Sequence, residues 1–378
     1  MQIYLDNAST TPLSGNVKSR LLKILDRYGN PSSLHSAGEI PRQIITGARQ
    51  SVARFIRADA KNIYFTPSGS ASNTLAVRGL ISEDPRKDPY EVFYSPTSHK
   101  SMLKVCEACN RYTPLEVNSE GKLDLFRLET ALTRHSFRKP LVCVEAANSE
   151  FGTINDIAGI GRIVHGHNGI LIVDATGYIP SCRVDMESWE EYTDILTFSG
   201  HKLHALKGIG ILWKKESLKL KPLIYGSQQD GIVAGTENVL GIASLGMAVD
   251  EYDYSSVSPD NRDHVYDYMI RHIPDWYLIG APVGSGDRLP HNLYACFRGV
   301  EGESLMLLLD RNGIRVSTGS ACNSGELSAS AALTAIGMRK EDIHSCIRFS
   351  FSGQETKEEL NYVCDTLKQC VAALRCLL

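Results

Sequence analysis

The sequence contains no apolar run approaching the roughly 18 residues needed to cross a bilayer, no repeat period and no low-complexity tract, which argues against helical membrane, solenoid and fibrous architectures. Net charge is equally scarce. Forty Lys and Arg against 43 Asp and Glu leave −3, and without an overall positive field neither direct nucleic-acid binding nor recruitment to an anionic membrane is expected. Cysteine is thin as well: ten in 378 residues is too dilute for a disulfide scaffold, and the opening Met1-Gln2-Ile3-Tyr4-Leu5-Asp6 does not resemble a signal peptide. A cytoplasmic protein with free thiols and a small-molecule partner is the expectation. What is present is an ordinary globular composition, 43% hydrophobic and 22% charged, over a length that suits two or three domains.

Between about residues 60 and 213, short runs rich in β-branched and aromatic residues alternate with longer mixed segments, the pattern of βαβ units around a mainly parallel sheet. The runs are Ile63 to Thr66, Val92 to Tyr94, Leu141 to Val144, Ile170 to Val173, Ile195 to Phe198 and Ile209 to Trp213, with helices expected over Ser72 to Leu80 and Ile157 to His167. The polar, turn-rich stretch Glu251 to Asp260 marks a boundary. Beyond it the expectation is a strand at Asn292 to Phe297, a helix at Glu303 to Asn312, a strand at Ile347 to Phe351 and a terminal helix from about Glu355. The predicted organisation is α/β, with a large domain over residues 14–255 and a smaller α+β domain over 1–13 and 256–378.

Ligands of open α/β sheets sit at the carboxyl ends of the strands, so the residues following each run carry the functional reading. Pro67-Ser68-Gly69-Ser70 follows the first run and opens a helix, a cradle for phosphate or simply a capped helix start. Asp174 ends an apolar run, where a buried acid needs a partner or caps a helix. Ser199-Gly200-His201-Lys202 follows another. Pyridoxal phosphate chemistry requires an amine for a Schiff base, a carboxylate for the pyridine nitrogen and a phosphate cup, and Lys202, Asp174 and Gly69-Ser70 supply one of each at strand ends.

Six ordered motifs, Tyr4 to Pro12, Gly29-Asn30-Pro31-Ser32-Ser33 with His35, Val173 to Thr176, Ser199 to Lys202, Gly235-Thr236-Glu237-Asn238 and Ser317 to Cys322, resemble those of the cysteine desulfurases over nearly the whole chain. The resemblance implies a fold-type I pyridoxal phosphate enzyme of the class V aminotransferase group, a homodimer, that takes sulfur from L-cysteine, leaves L-alanine and passes sulfur to an acceptor protein for iron-sulfur clusters or tRNA thiolation. It implies Lys202 as the Schiff-base lysine, Asp174 on the pyridine nitrogen, His99 on the ring face, and Gly69, Ser70, Ser199 and His201 around the phosphate, with Thr236 reaching the phosphate of the partner subunit. Thr176 and Ser149 join the cofactor contacts. Arg348, on the carboxylate, with Asn30 and Asn148 would hold the substrate, and Cys322 would be the nucleophile. No metal is implied.

Cys322 lies among small residues with two glycines, which suits an exposed loop able to carry a persulfide to an acceptor. The other cysteines read as packing residues: Cys143, Cys182, Cys296 and Cys346 in or near apolar runs, Cys106 and Cys109 on a helix face, Cys364, Cys370 and Cys376 along the terminal helix. Four positions depart from the family pattern: Ser149 for asparagine, Gly177 for glutamine, Ala71 for glutamate and Val233 for arginine. These departures keep two alternatives open, an attenuated or non-catalytic scaffold, and a lyase for selenocysteine or another β-substituted amino acid. Ser317, in place of an arginine, places the chain with the long-loop members that hand sulfur on directly.

Overall fold

The computed structural model describes residues 1–135, 137–318 and 330–376. Among the described residues twelve strands run in chain order: β1 (Ile3–Tyr4), β2 (Ile63–Thr66), β3 (Tyr90–Tyr94), β4 (Tyr112–Pro114), β5 (Lys139–Glu145), β6 (Ile170–Asp174), β7 (Ile195–Ser199), β8 (Gly210–Lys214), β9 (Trp276–Leu278), β10 (Asn292–Phe297), β11 (Ile314–Arg315) and β12 (Cys346–Ser350). Seven form one sheet in the order β2-β8-β7-β6-β5-β3-β4. Every pairing from β7 to β4 is parallel, whereas β8 runs antiparallel to both β7 and β2. The sheet is mainly parallel, as expected, with β8 the strand that reverses. Only the segment Gly200 to Ile209 joins β7 to β8, too short for the helical crossover that a parallel return demands.

Both faces of this sheet are buried, and strict alternation divides its side chains. Val142, Val144, Leu171, Val173, Leu196 and Phe198 enter one hydrophobic cluster; Leu141, Cys143, Ile170, Ile172 and Ile195 enter another beneath the helices Gly69–Arg78 and Lys100–Glu107. The period of two fixes what the strand ends present. Glu145, Asp174 and Thr197 are Cα partners in neighbouring strands and continue the second set, so they form a polar row across the carboxyl edge of that face.

A second, antiparallel sheet, β12-β10-β9, and the parallel pair of β1 with β11 lie in the C-terminal part. Ile3 and Leu5 pack in one cluster with Val265, Met269, Phe297, Leu305, Phe349 and Leu367, so the first residues of the chain are built into the same core as the last hundred. The helix Lys357–Arg375 opens with a capping box in which Thr356 and Glu359 satisfy each other's backbone N–H. Seven cysteines are buried as expected, but Cys182 is half-buried and Cys376 is exposed, because the helix ends at Arg375 and leaves Cys376 as its cap. Cys322 lies outside the described residues. No helix among the described residues is long and apolar enough to cross a membrane.

Candidate active site

At the carboxyl edge of the sheet opens a cavity of about 250 Å3 whose lining includes Ser68, His99, Glu145, Asp174, Lys202 and Arg348. It also takes in Gly69, Ser70, Asn148, Ser149, Thr176, Ser199 and His201, so eleven of the expected site residues meet in one place. Asn30 and Thr236 do not: both are exposed and outside the cavity lining of this single chain. Among the described residues no group of three potential metal ligands exists.

Asp174 is 5% exposed and held at both oxygens. Asn73 Nδ2 donates to Oδ2 at 2.8 Å and the Thr176 N–H donates to Oδ1 at 2.9 Å. Asn73 is itself fixed, its amide donating to Ser101 Oγ at 3.0 Å and its Oδ1 accepting from Thr197 Oγ1 at 2.5 Å. Strand β7 therefore orients a helix residue that orients the acid of β6. Asn73 and Thr197 are positioning residues that motif reading missed; the available signal was a buried amide one turn inside an otherwise small-residue helix, facing the strand ends.

His99 caps the helix Lys100–Glu107, and its Nδ1 accepts from the Ser101 N–H at 3.2 Å. A backbone N–H can only donate, so the neutral ring carries its proton on Nε2. Enclosure in the cleft lowers the His99 pKa, aided by Lys202 and opposed by Asp174. His201 is pushed down to about 4 by burial and by Lys202 and Lys207, and its Nδ1 lies 3.1 Å from Thr10 Oγ1. Both rings are neutral near pH 7. Lys202, in the 3-10 turn Gly200–Lys202 that follows β7, is buried at the cavity wall.

Glu145 was not anticipated. It ends β5 beside Asp174, is 4% exposed, and burial together with the Asp174 charge pushes its pKa up to about 8, against the hydrogen bonds from Asn148 and Thr97. Asn148 braces this floor with all its bonding capacity: Nδ2 donates to the Thr97 carbonyl at 2.8 Å and to Glu145 Oε1 at 2.9 Å, while Oδ1 accepts from the Glu150 and Phe151 N–H groups. Arg348, 5% exposed and also lining the cavity, donates to Asp6 at 2.8 Å, Ser9 Oγ at 2.6 Å and the Ser149 carbonyl at 2.9 Å. Its Nε is buried with no hydrogen-bond partner among the described residues. The residues flanking the Cys322 segment are anchored nearby, Ser317 to the Arg348 backbone and Ser330 Oγ to Glu150.

The donor set suits pyridoxal phosphate. Ser68 caps the helix Gly69–Arg78, so the first N–H groups of that helix border the cavity where an anion is favoured. A Cβ on Gly69 would come within 3.2 Å of Ser199 Cβ and 3.4 Å of Thr176 Oγ1, filling the cradle that its absence leaves. The amine of Lys202, the twice-bonded Asp174 and the flat ring of His99 complete the set that the cofactor needs. Gly177 departs for a local reason: a Cβ there would meet the Ala147 carbonyl at 2.7 Å.

The aminotransferase class-V family model matches residues 3–363. The chain is 35% identical to a cysteine desulfurase of Nostoc sp., covering 99% of this chain and 94% of that one. It is 36% identical to the cysteine desulfurase IscS of Dictyoglomus turgidum, with 99% and 95% covered. Among solved structures it resembles a NifS-like protein at a TM-score of 0.87 and 26% identity, covering 99% of this chain and 100% of that one. It also resembles SspA in complex with cysteine, at 0.80 and 25%, covering 94% and 100%. The family match over residues 3–363 and full-length identity at this level make the chain a member of the class-V aminotransferase family and, within it, of the cysteine desulfurases.

Proposed function

We propose that the chain binds pyridoxal phosphate through Lys202 and converts L-cysteine to L-alanine, moving the sulfur onto Cys322 as a persulfide for transfer to an acceptor protein. The observation that carries this reading is the convergence of Lys202, Asp174, His99 and the helix start at Ser68 in one cavity with Arg348 at its rim. The reaction balances without an added oxidant: L-cysteine and the Cys322 thiol give L-alanine and Cys322 persulfide, and two reducing thiols then release sulfide and regenerate Cys322.

When bound, the cofactor supplies an electron sink for the α-carbon of an amino acid. Asp174, oriented by Asn73 and Thr176, would hold the ring nitrogen cationic, and His99 would cover the ring with its proton on Nε2. Arg348 would receive the substrate carboxylate with the donors left after Asp6, Ser9 and Ser149 are served. The Lys202 amine would move a proton between the α-carbon and the β-carbon, and Cys322 would attack the sulfur as thiolate. We also propose a homodimer, in which Thr236 serves the neighbouring subunit, and iron-sulfur assembly or tRNA thiolation as the destination of the sulfur.

Lys202→Ala tests the assignment. The purified protein should show a Schiff-base absorbance with pyridoxal phosphate that shifts on adding L-cysteine. The variant should show neither and should lose on the order of 10³-fold or more in turnover. An unchanged spectrum in the variant overturns the assignment of Lys202.

A further inference from the structure

We propose that Glu145 enters the cofactor site as a neutral carboxylic acid whose O–H is a hydrogen-bond donor to an oxygen of the bound pyridoxal ring. The inference rests on the cofactor reading above and adds a residue to it. Its basis is the row at the carboxyl edge of the sheet. Glu145 and Asp174 are Cα partners in adjacent parallel strands, their side chains leave the same face, and both line the same cavity. Two carboxyl groups so placed act as a pair, and the one that receives fewer N–H donors keeps its proton.

The neighbours decide which one that is. Asp174 receives two N–H donors. Glu145 receives one N–H, from Asn148, beside the Thr97 hydroxyl; neither acid makes an ion pair among the described residues, and burial and the Asp174 charge both work against the ionised form of Glu145. The charged and titratable groups lining the same cavity are His99 and Lys100 at the start of the helix after β3, Glu150 from the segment after β5, Asp174 from β6, His201 and Lys202 after β7, and Arg348 from β12. Of these, Asp174 and Glu150 act on Glu145 and both raise its proton affinity.

Hydrogen bonding then fixes where the proton sits. Asn148 Nδ2 can only donate, so Oε1 is the carbonyl oxygen of the acid and Oε2 bears the proton. Thr97, whose hydroxyl lies 2.8 Å from Ser95 Oγ, is the carboxyl's other side-chain partner. Asn148 has spent both N–H groups, and Gly177 has no side chain and no room for one beside the Ala147 carbonyl, so neither donates to a bound ring. An acid O–H at Glu145 adds a donor that they do not supply.

Pyridoxamine phosphate carries the same ring oxygen and forms no Schiff base, so its affinity for the cofactor-free full chain reads the site without turnover. Above about pH 8 ionisation removes the donor and adds a repelling charge. Affinity of the unaltered protein should therefore fall about tenfold per pH unit between pH 8 and 9.5, beyond any fall shared by the variants. Glu145→Gln keeps an oxygen for Asn148 and an N–H for the ligand, so it should bind within about threefold of the unaltered protein at pH 7 and lack the additional slope. Glu145→Leu should bind about tenfold more weakly at pH 7 and also lack the slope. If Glu145→Gln follows the same pH profile as the unaltered protein, the inference is wrong, and this comparison stands even if Glu145→Leu does not fold. Absence of any pyridoxamine phosphate binding overturns the cofactor reading and this inference together; binding indifferent to Glu145 overturns the inference alone.

Discussion

At the scale of single residues, the site depends on groups that hold other groups. Asp174 can serve a cationic nitrogen only while its carboxylate is aimed, and Asn73 aims it from a helix that Thr197 in turn holds in register. Asn73→Ala leaves Asp174 buried with one donor fewer. The expected cost is about 1–3 kcal/mol in cofactor affinity, with Asn73→Asp worse because it sets a second charge against Asp174. Equilibrium dialysis of the cofactor checks this, and an affinity unchanged in Asn73→Ala would remove Asn73 from the site. Lys202 and Asp174 were legible from sequence because each follows an apolar run too uniform for a surface strand. Glu145 carries the same signal, one residue past the run Leu141 to Val144, but no motif of the family resemblance contains it. Cys376 was misread for the opposite reason: regular spacing of six suggested a buried face that the helix does not extend far enough to provide.

At the scale of elements, the alternation of the strands does the placing. The side chains that pack under the helices Gly69–Arg78 and Lys100–Glu107 set the parity by which Glu145, Asp174 and Thr197 reach the same edge, and a one-residue slip of any strand would turn its polar end into the opposite core. The sequence showed most strand positions to within a residue or two, since both faces are buried and the runs are nearly continuous in apolar residues. It did not show the direction of β8, because direction depends on connection length and pairing and not on composition. Hydrogen bonds such as Asn148 to the Thr97 carbonyl or Arg348 to Asp6 join residues far apart in sequence, and no local pattern encodes them.

At the scale of the whole molecule, burial of titratable groups at the junction of the two sheets ties stability to pH. His291, 7% exposed and paired with Ser181 Oγ, is pushed down to about 3 by burial and by the charges of Lys202, Arg348 and Arg262. Its folded pKa lies below its unfolded value of about 6.5, so as pH falls below 6.5 the unfolded chain takes up a proton that the folded chain refuses. The contribution is intact above pH 6.5 and is lost progressively toward pH 3, at up to about 1.4 kcal/mol per pH unit. His291→Gln should flatten the pH dependence of denaturant midpoints between pH 6 and 4.5 relative to the unaltered protein, and equal slopes would contradict the assignment. We further propose that residues 14–255 form one folding unit and that residues 1–13 join 256–378 in another. The exposure of Thr236 and Asn30 outside the cavity fits a site completed by a second subunit.

The central claim is that this chain moves sulfur from L-cysteine to Cys322, and one incubation tests it most directly. Pure protein, pyridoxal phosphate, L-cysteine and a dithiol should yield sulfide and L-alanine in equal amounts over many turnovers, with both products lost in Cys322→Ala. Alanine formed at the same rate without Cys322, or no alanine at all from fully loaded protein, would contradict the account.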